Sequence, residues 1–110
     1  MPWHTTNGVV CYSPLTELEC LVLPLRLDRT DLLDKFNSFF TYNLKLDMPD
    51  SVYREAARLR AKFGLKTPDA LHLATARHHA CSELWTNDDR LAGVAEGMVI
   101  NVVAWETPTV

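Results

Sequence analysis

Three acidic residues, Glu19, Asp69 and Asp88, stand where a carboxylate can take part in chemistry. The residues three and four positions from Glu19 are mostly apolar, so in a helix its carboxylate would lie on the core side. A polar group left unpaired in a core costs roughly 2–7 kcal/mol. Glu19 therefore needs a metal ion, an arginine or a catalytic role, unless it lies at the rim of the core with its stem over apolar surface.

The two aspartates each have a simpler alternative. Asp69 stands at the second helical position after Thr67-Pro68. An acid there stabilises the helix by about 0.3–1 kcal/mol through the helix dipole, so Asp69 needs no catalytic role. Asp88 belongs to segment 86–89 after a predicted strand, where Asn and Asp are common as turn formers and helix caps. The same place is the ligand-binding edge of an α/β sheet. Hydrogen bonds from Thr86 and Asn87 would orient the Asp88 carboxylate there.

Together, the three carboxylates indicate a divalent cation. Clustered carboxylates repel one another unless a cation lies between them, and their hard oxygen ligands suit Mg²⁺ or Mn²⁺. Such an ion activates water and stabilises displacement at a phosphodiester. Basic residues are dense in and just after the third predicted helix: Arg54, Arg58, Arg60, Lys62 and Lys66. They either hold a nucleic-acid backbone or form a solvated helix face.

The elements that must position these acids follow from apolar periodicity and from the placement of Pro and Gly. Residues 1–8 carry no period and are predicted to be a tail. The predicted order is strand 9–12, helix 14–23 kinked or stopped by Pro24, a helix to about 40 capped by Asp28 or Thr30, strand 44–47, a helix from about 48 to Gly64, helix 67–80, strand 83–86, a helical turn 90–94 and strand 99–103. Strands separated by helical crossovers predict a parallel sheet in a layered α/β fold.

The composition is that of one ordinary globular domain. An apolar fraction of 47% and a charged fraction of 23% exclude a disordered or collagen-like chain of 110 residues. A net charge of −3 excludes an overall basic nucleic-acid coat, although a local basic patch is still allowed. The most apolar stretch, 18–27, is too short and too often interrupted to span a membrane. Three scattered cysteines without a CxxC motif predict reduced thiols and a cytoplasmic location.

With its residues laid out in this way, the sequence resembles a PIN domain, specifically the toxin type of bacterial VapBC toxin–antitoxin pairs. The resemblance covers almost everything from Val9 to Val103. Three stretches carry it: SPLTELECLVLPLR from Ser13 to Arg26, RLRAKFGLKTPDALHLATARHHAC from Arg58 to Cys81, and LWTNDDRLAGV from Leu84 to Val94. The resemblance implies a three-layer α/β fold, with a parallel sheet flanked by helices, in one domain over residues 1–110.

The resemblance also implies an activity and its residues. PIN domains are metal-dependent endoribonucleases with an acidic site at the carboxyl edge of the sheet. The family's site residues fall on Glu19, Asp69 and Asp88, which are thus the implied catalytic groups and ligands of Mg²⁺ or Mn²⁺. Thr86 and Asp89 are implied accessory residues. The implied partners are an RNA substrate, a small DNA-binding antitoxin and a second copy of the chain in a homodimer, with no membrane involved.

The sequence departs from the family pattern at its beginning. The family starts with a hydrophobic strand that ends in an aspartate, a principal metal ligand, whereas Met1 to Gly8 contains neither an aspartate nor a predicted strand. We therefore expect the first strand and the helix after it to be missing, because of a late start, because the chain is a remnant, or because a partner completes the fold.

Three functions stay open: a ribonuclease impaired by this loss, an inactive remnant that binds the antitoxin or itself, and a nuclease that acts on DNA. His72 is expected either beside the acidic site or as a partly buried histidine satisfied by its neighbours.

Overall fold

The chain folds as an α/β protein, which confirms the predicted fold class. The computed structural model describes residues 3–6, 9–81, 83–86 and 99–101. In this part of the chain the elements are β1 (Trp3–Thr6), β2 (Val9–Tyr12), α1 (Pro14–Arg26), α2 (Thr30–Tyr42), β3 (Leu44–Lys45), α3 (Asp50–Phe63), α4 (Thr67–His78), β4 (Glu83–Thr86) and β5 (Val99–Asn101). The predicted helical turn at 90–94 lies outside the described residues.

The sheet has five described strands in the order β3-β2-β1-β4-β5. Strand β2 is parallel to β3, and β4 is parallel to β5, as predicted. Strand β1 is antiparallel to both of its neighbours, β2 and β4. Because two strands that are each antiparallel to a third run in the same direction, β2, β3, β4 and β5 all end at one edge. We call this edge the carboxyl edge of the sheet.

The prediction that residues 1–8 form a tail is wrong, because Trp3–Thr6 form β1 at the centre of the sheet. The pairing of Thr6 with Val9 leaves only Asn7 and Gly8 between β1 and β2. Asn-Gly is the pair most typical of a two-residue hairpin connection, so this dipeptide is the feature of the sequence that indicates a hairpin here. Strand β1 runs antiparallel to its neighbours and contains no aspartate, so it lacks the metal-binding residue that the resemblance implies for the first strand of the family.

Most helix boundaries agree with the sequence, and the differences have local causes. Helix α1 starts at the predicted Ser13 cap, whose Oγ accepts a hydrogen bond from the Thr16 backbone at 3.3 Å. It does not stop at Pro24 but continues to Arg26, with the proline buried. Helix α2 begins after Arg29, whose side chain makes no capping hydrogen bond, rather than after a cap at Asp28 or Thr30. Helix α3 ends at Gly64 as predicted.

Helices cover both faces of the sheet, as the three-layer prediction requires. Successive residues of a strand point to opposite faces, and β2 shows this directly. Cys11 belongs to a core cluster with residues of α3 and α4, whereas Tyr12 belongs to a second cluster with Cys20, Phe36 and Phe40 of α1 and α2. The Tyr12 hydroxyl also donates a hydrogen bond to the Phe40 carbonyl at 2.9 Å. The pair α1–α2 therefore packs on one face and α3–α4 on the other.

None of the described helices combines the length and the apolar character that crossing a membrane demands. The longest of them, α3, has 14 residues and carries five basic or acidic side chains along its first eleven positions: Asp50, Arg54, Glu55, Arg58 and Arg60.

Candidate functional site

Glu19 lies in the second turn of α1, close to the carboxyl edge. Helix α1 begins at Pro14, with only Ser13 between it and the end of β2, so its first turns stand next to that edge. Helix α1 is buried through Thr16, Cys20 and Pro24. The Glu19 side chain keeps 30% of its surface exposed. The side chain is therefore not enclosed in the core, although the helix itself is anchored in the fold.

Helix α4 provides a rigid support for the second acid, Asp69. Seven consecutive residues of this helix, Ala70–Ala76, are buried, as expected for a helix with protein on every side. It ends at His78, shortly before β4 begins, so its last turn lies near the start of β4 and its first turn lies toward the carboxyl edge. Asp69 is half-buried in that first turn. The fold thus directs Glu19 and Asp69 to the same end of the sheet.

A hydrogen bond between α1 and α4 joins Glu19 to His72, three residues after Asp69. His72 Nε2 lies 2.7 Å from Glu19 Oε1, and the histidine is only 1% exposed. Asp69 precedes His72 by three residues, and side chains at this spacing lie on one helix face with Cβ atoms about 5–6 Å apart. The Glu19 carboxylate is therefore held against the α4 face that carries Asp69.

The third predicted acid, Asp88, and the accessory Asp89 lie outside the described residues. The backbone of Thr86 is the last described position of β4, and it pairs with Asn101. Strand β4 ends at the carboxyl edge, which α1 and α4 also approach. Asp88 comes two positions after Thr86, the last residue of β4, in the sequence. Within residues 3–6, 9–81, 83–86 and 99–101, no three His, Cys, Asp or Glu side chains come together as a metal site.

The donor set is chemically suited to a hard divalent cation. Glu19 and Asp69 offer carboxylate oxygens, which Mg²⁺ and Mn²⁺ prefer, and neither side chain is fully buried. Two carboxylates are fewer than the predicted three, so this site is complete only with Asp88. The assignment of all three as ligands and catalytic groups stays a prediction, as does the supporting role of Thr86 and Asp89.

Nearby charges outside the site are mostly engaged within the protein. Glu17 pairs with Lys45 at 2.9 Å. Of the basic residues on α3, Arg58 pairs with Glu55 at 3.0 Å and Arg60 donates to the Leu65 carbonyl at 3.0 Å. These contacts favour the solvated helix face over a nucleic-acid track for Arg58 and Arg60.

Of the two alternatives for His72, the structure confirms a histidine satisfied by a neighbour, more deeply buried than expected, and its place beside an acidic site stays a prediction. His72 is buried in α4, and its partner is one of the predicted site acids. The spacing of Asp69 and His72 puts the histidine on the same helix face as one predicted acid, but its hydrogen-bond partner Glu19 lies 53 residues away in the sequence. Only the packing of α1 on α4 brings that partner within reach.

Comparisons with known proteins agree with this architecture. The sequence model of the PIN domain matches residues 3–97. Among solved structures, the fold is similar to a "Toxin-antitoxin complex from Klebsiella pneumoniae", with a TM-score of 0.68 and 24% sequence identity over 81% of this chain and 70% of the other. No curated protein matches the chain. At this level of identity the structural match shows the fold, and the family match covers the elements that carry Glu19 and Asp69.

Proposed function

This chain belongs to the PIN domain family, and from that premise we propose that it is a divalent-metal-dependent endoribonuclease of the VapC toxin type. The observation that carries the proposal is the contact between Glu19 and His72, which holds one predicted acid against the helix face of another. Three-dimensional convergence of residues 50 positions apart is what a catalytic carboxylate cluster requires. Sequence spacing alone does not produce it.

In this proposal Glu19, Asp69 and Asp88 hold Mg²⁺ or Mn²⁺. A cation bound there supplies positive charge next to a water molecule and a phosphodiester. Helix α4 fixes the position of Asp69 because the following seven residues are buried. Glu19 is fixed by α1 on one side and by His72 on the other. The protein thus contributes a preformed set of negative oxygens at the carboxyl edge, which is the general ligand-binding position of such sheets.

Partner binding is the second part of the proposal. Apolar side chains recur on α1 at helical spacing with at least two fifths of their surface exposed, namely Leu18, Val22 and Leu25. Contiguous exposed apolar surface of this kind marks interaction sites. Because the similar fold was solved in a toxin–antitoxin complex, we propose a small antitoxin as the partner. A homodimer and a cytoplasmic location stay predictions.

A cleavage assay with metal and site variants tests the proposal. Wild-type protein is incubated with a labelled single-stranded RNA in Mg²⁺, Mn²⁺ or EDTA, next to Glu19→Gln and Asp88→Asn prepared identically. We expect metal-dependent cleavage by the wild type and losses in both variants larger than the roughly 10–100-fold that changes around metal ligands cost. Asp34→Asn is the matched control, because Asp34 is an exposed carboxylate on α2, a helix that carries none of the predicted site residues. A single-stranded DNA of the same sequence tests the DNA alternative.

Thermal unfolding with and without Mn²⁺ tests metal binding independently of RNA cleavage. A cation that binds only the folded state stabilises it, by about 2.7 kcal/mol at 100 times its dissociation constant. We expect the melting temperature of the wild type and of Asp34→Asn to rise with Mn²⁺, and that of Asp88→Asn to rise less. Equal cleavage by wild type and Asp88→Asn would remove the enzymatic proposal.

The second candidate function is an inactive PIN remnant that binds the antitoxin or itself. One observation favours it: the central strand β1 contains no acidic residue, although the resemblance implies a metal-binding aspartate on the central strand. A folded wild-type protein that neither cleaves RNA nor gains stability from Mn²⁺ would support this candidate over the enzyme.

A further inference from the structure

We propose that His72 is a positioning residue for metal binding: it fixes the Glu19 carboxylate so that one of its oxygens is presented to the cation. This inference rests on the proposed function, because it assigns a role beside the same site. The pair consists of the buried His72 imidazole on α4 and the partly exposed Glu19 carboxylate on α1, with Nε2 and Oε1 2.7 Å apart.

The direction of the hydrogen bond follows from the chemistry of the two groups. An ionised carboxylate has only acceptor atoms, so the proton of this bond is on His72 Nε2. A hydrogen bond to a charged acceptor is shorter and stronger than one between neutral groups, which agrees with the 2.7 Å distance. The bond occupies Oε1. The Glu19 side chain as a whole is 30% exposed, so it is not enclosed in the core, and Oε2 is the oxygen that this proposal assigns to the cation.

His72 is well suited to hold Glu19 because its own position is fixed. It is 1% exposed and lies in the middle of the buried stretch Ala70–Ala76, between Leu71 and Leu73. A glutamate side chain has several rotatable bonds, and without a partner it would sample several rotamers. Anchoring Oε1 to a rigid imidazole therefore selects the rotamer that lies against the Asp69 face. Hydrogen bonds of this kind to ligating carboxylates orient the ligand and change metal affinity by 10–100-fold.

The test measures Mn²⁺ affinity directly, by the electron paramagnetic resonance signal of free Mn²⁺, and needs no catalytic assay. Three variants are compared with the wild type. His72→Phe keeps a ring of similar size but has no donor, and His72→Met removes the donor with a flexible side chain in case the ring is not accommodated. His72→Gln keeps an N–H donor at a similar reach.

We expect His72→Phe and His72→Met to raise the dissociation constant for Mn²⁺ by about 10–100-fold, and His72→Gln to restore it to within about threefold of the wild type. Circular dichroism melting of the metal-free proteins shows which variants are folded. A role in core packing alone would lower the melting temperature and leave the Mn²⁺ affinity of the folded protein unchanged.

The possible failures can be told apart. If the wild type binds Mn²⁺ and a folded donor-free variant binds it equally well, the positioning role of His72 is overturned and the metal site survives. If His72→Gln binds as weakly as the donor-free variants, the hydrogen bond is again not the cause. If the wild type itself binds no Mn²⁺, the proposed metal-dependent function fails and the role of His72 fails with it.

Discussion

At the residue scale, burial determines the chemistry of two cysteines. It raises the pKa of the Cys20 thiol to about 12 and that of the Cys81 thiol to about 11, from an ordinary value of 9.0. Desolvation is the main cause for both, because a thiolate loses its hydration in the protein interior. The negative charges of Glu19 and Glu17 add to the effect at Cys20. Both side chains therefore stay neutral and unreactive at physiological pH.

This burial predicts a loss of stability at alkaline pH. The folded-state pKa of each thiol lies above its unfolded value, so the contribution is fully present below pH 9 and is lost as the pH rises toward 11–12. The free energy of unfolding should fall by at most about 1.4 kcal/mol per pH unit for each thiol. Urea unfolding between pH 8 and pH 11 measures this slope. Other groups titrate in the same range, so Cys20→Ala is the control: its alkaline slope should be shallower, and an unchanged slope would contradict the assignment.

At the element scale, α3 is the clearest case of a helix whose end is set by one residue. Gly64 has a φ of +67° and its N–H donates to the Arg60 carbonyl at 2.9 Å. A Cβ at this position would meet nothing within 4 Å, so an alanine there has room but an unfavourable backbone conformation. We expect Gly64→Ala to lower the free energy of unfolding by about 1 kcal/mol, measured by urea titration.

Gly64→Asn is the matched control for this cap. Asparagine adopts the left-handed conformation more readily than alanine does, so it should cost less than Gly64→Ala. A Cβ at this position meets no atom within 4 Å, so the Cβ that both variants add is accommodated without a clash. A larger loss for Asn than for Ala, or no loss for either, would show that backbone conformation does not control this helix end.

The elements that sequence predicts well are those with strong local signals. Helix α3 has apolar residues at helical spacing and a terminal glycine, so both its face and its end were predictable. The end of α1 was not, because a proline inside a helix is tolerated when packing outweighs the lost hydrogen bond, and Pro24 is buried. Of the candidate site, the acids were identifiable by type and spacing. The Glu19–His72 contact was not, because it depends on tertiary packing between α1 and α4.

At the scale of the whole molecule, β1 joins two halves of the sheet. It pairs with β2 through His4, Thr5 and Thr6 and with β4 through Trp3, His4 and Thr5. Strand β2 leads into α1 with Glu19, and β4 leads toward Asp88. The relative placement of the predicted acids therefore depends on a short strand that carries none of them. Without β1, both β2 and β4 would expose unpaired edges.

A proline in this strand tests that dependence. Thr5 lies between Val10 of β2 and Glu83 of β4, and Thr5→Pro removes one backbone donor from the centre of the sheet. An unsatisfied buried group costs about 1–3 kcal/mol, so we expect a clearly lower melting temperature than for Thr5→Val, which keeps a β-branched residue and the N–H. Hydrogen exchange should accelerate in 9–12 and in 83–86 together, because β1 pairs with both strands. If Thr5→Pro is as stable as Thr5→Val, or if only one of the two segments exchanges faster, then β1 does not join the halves of the sheet.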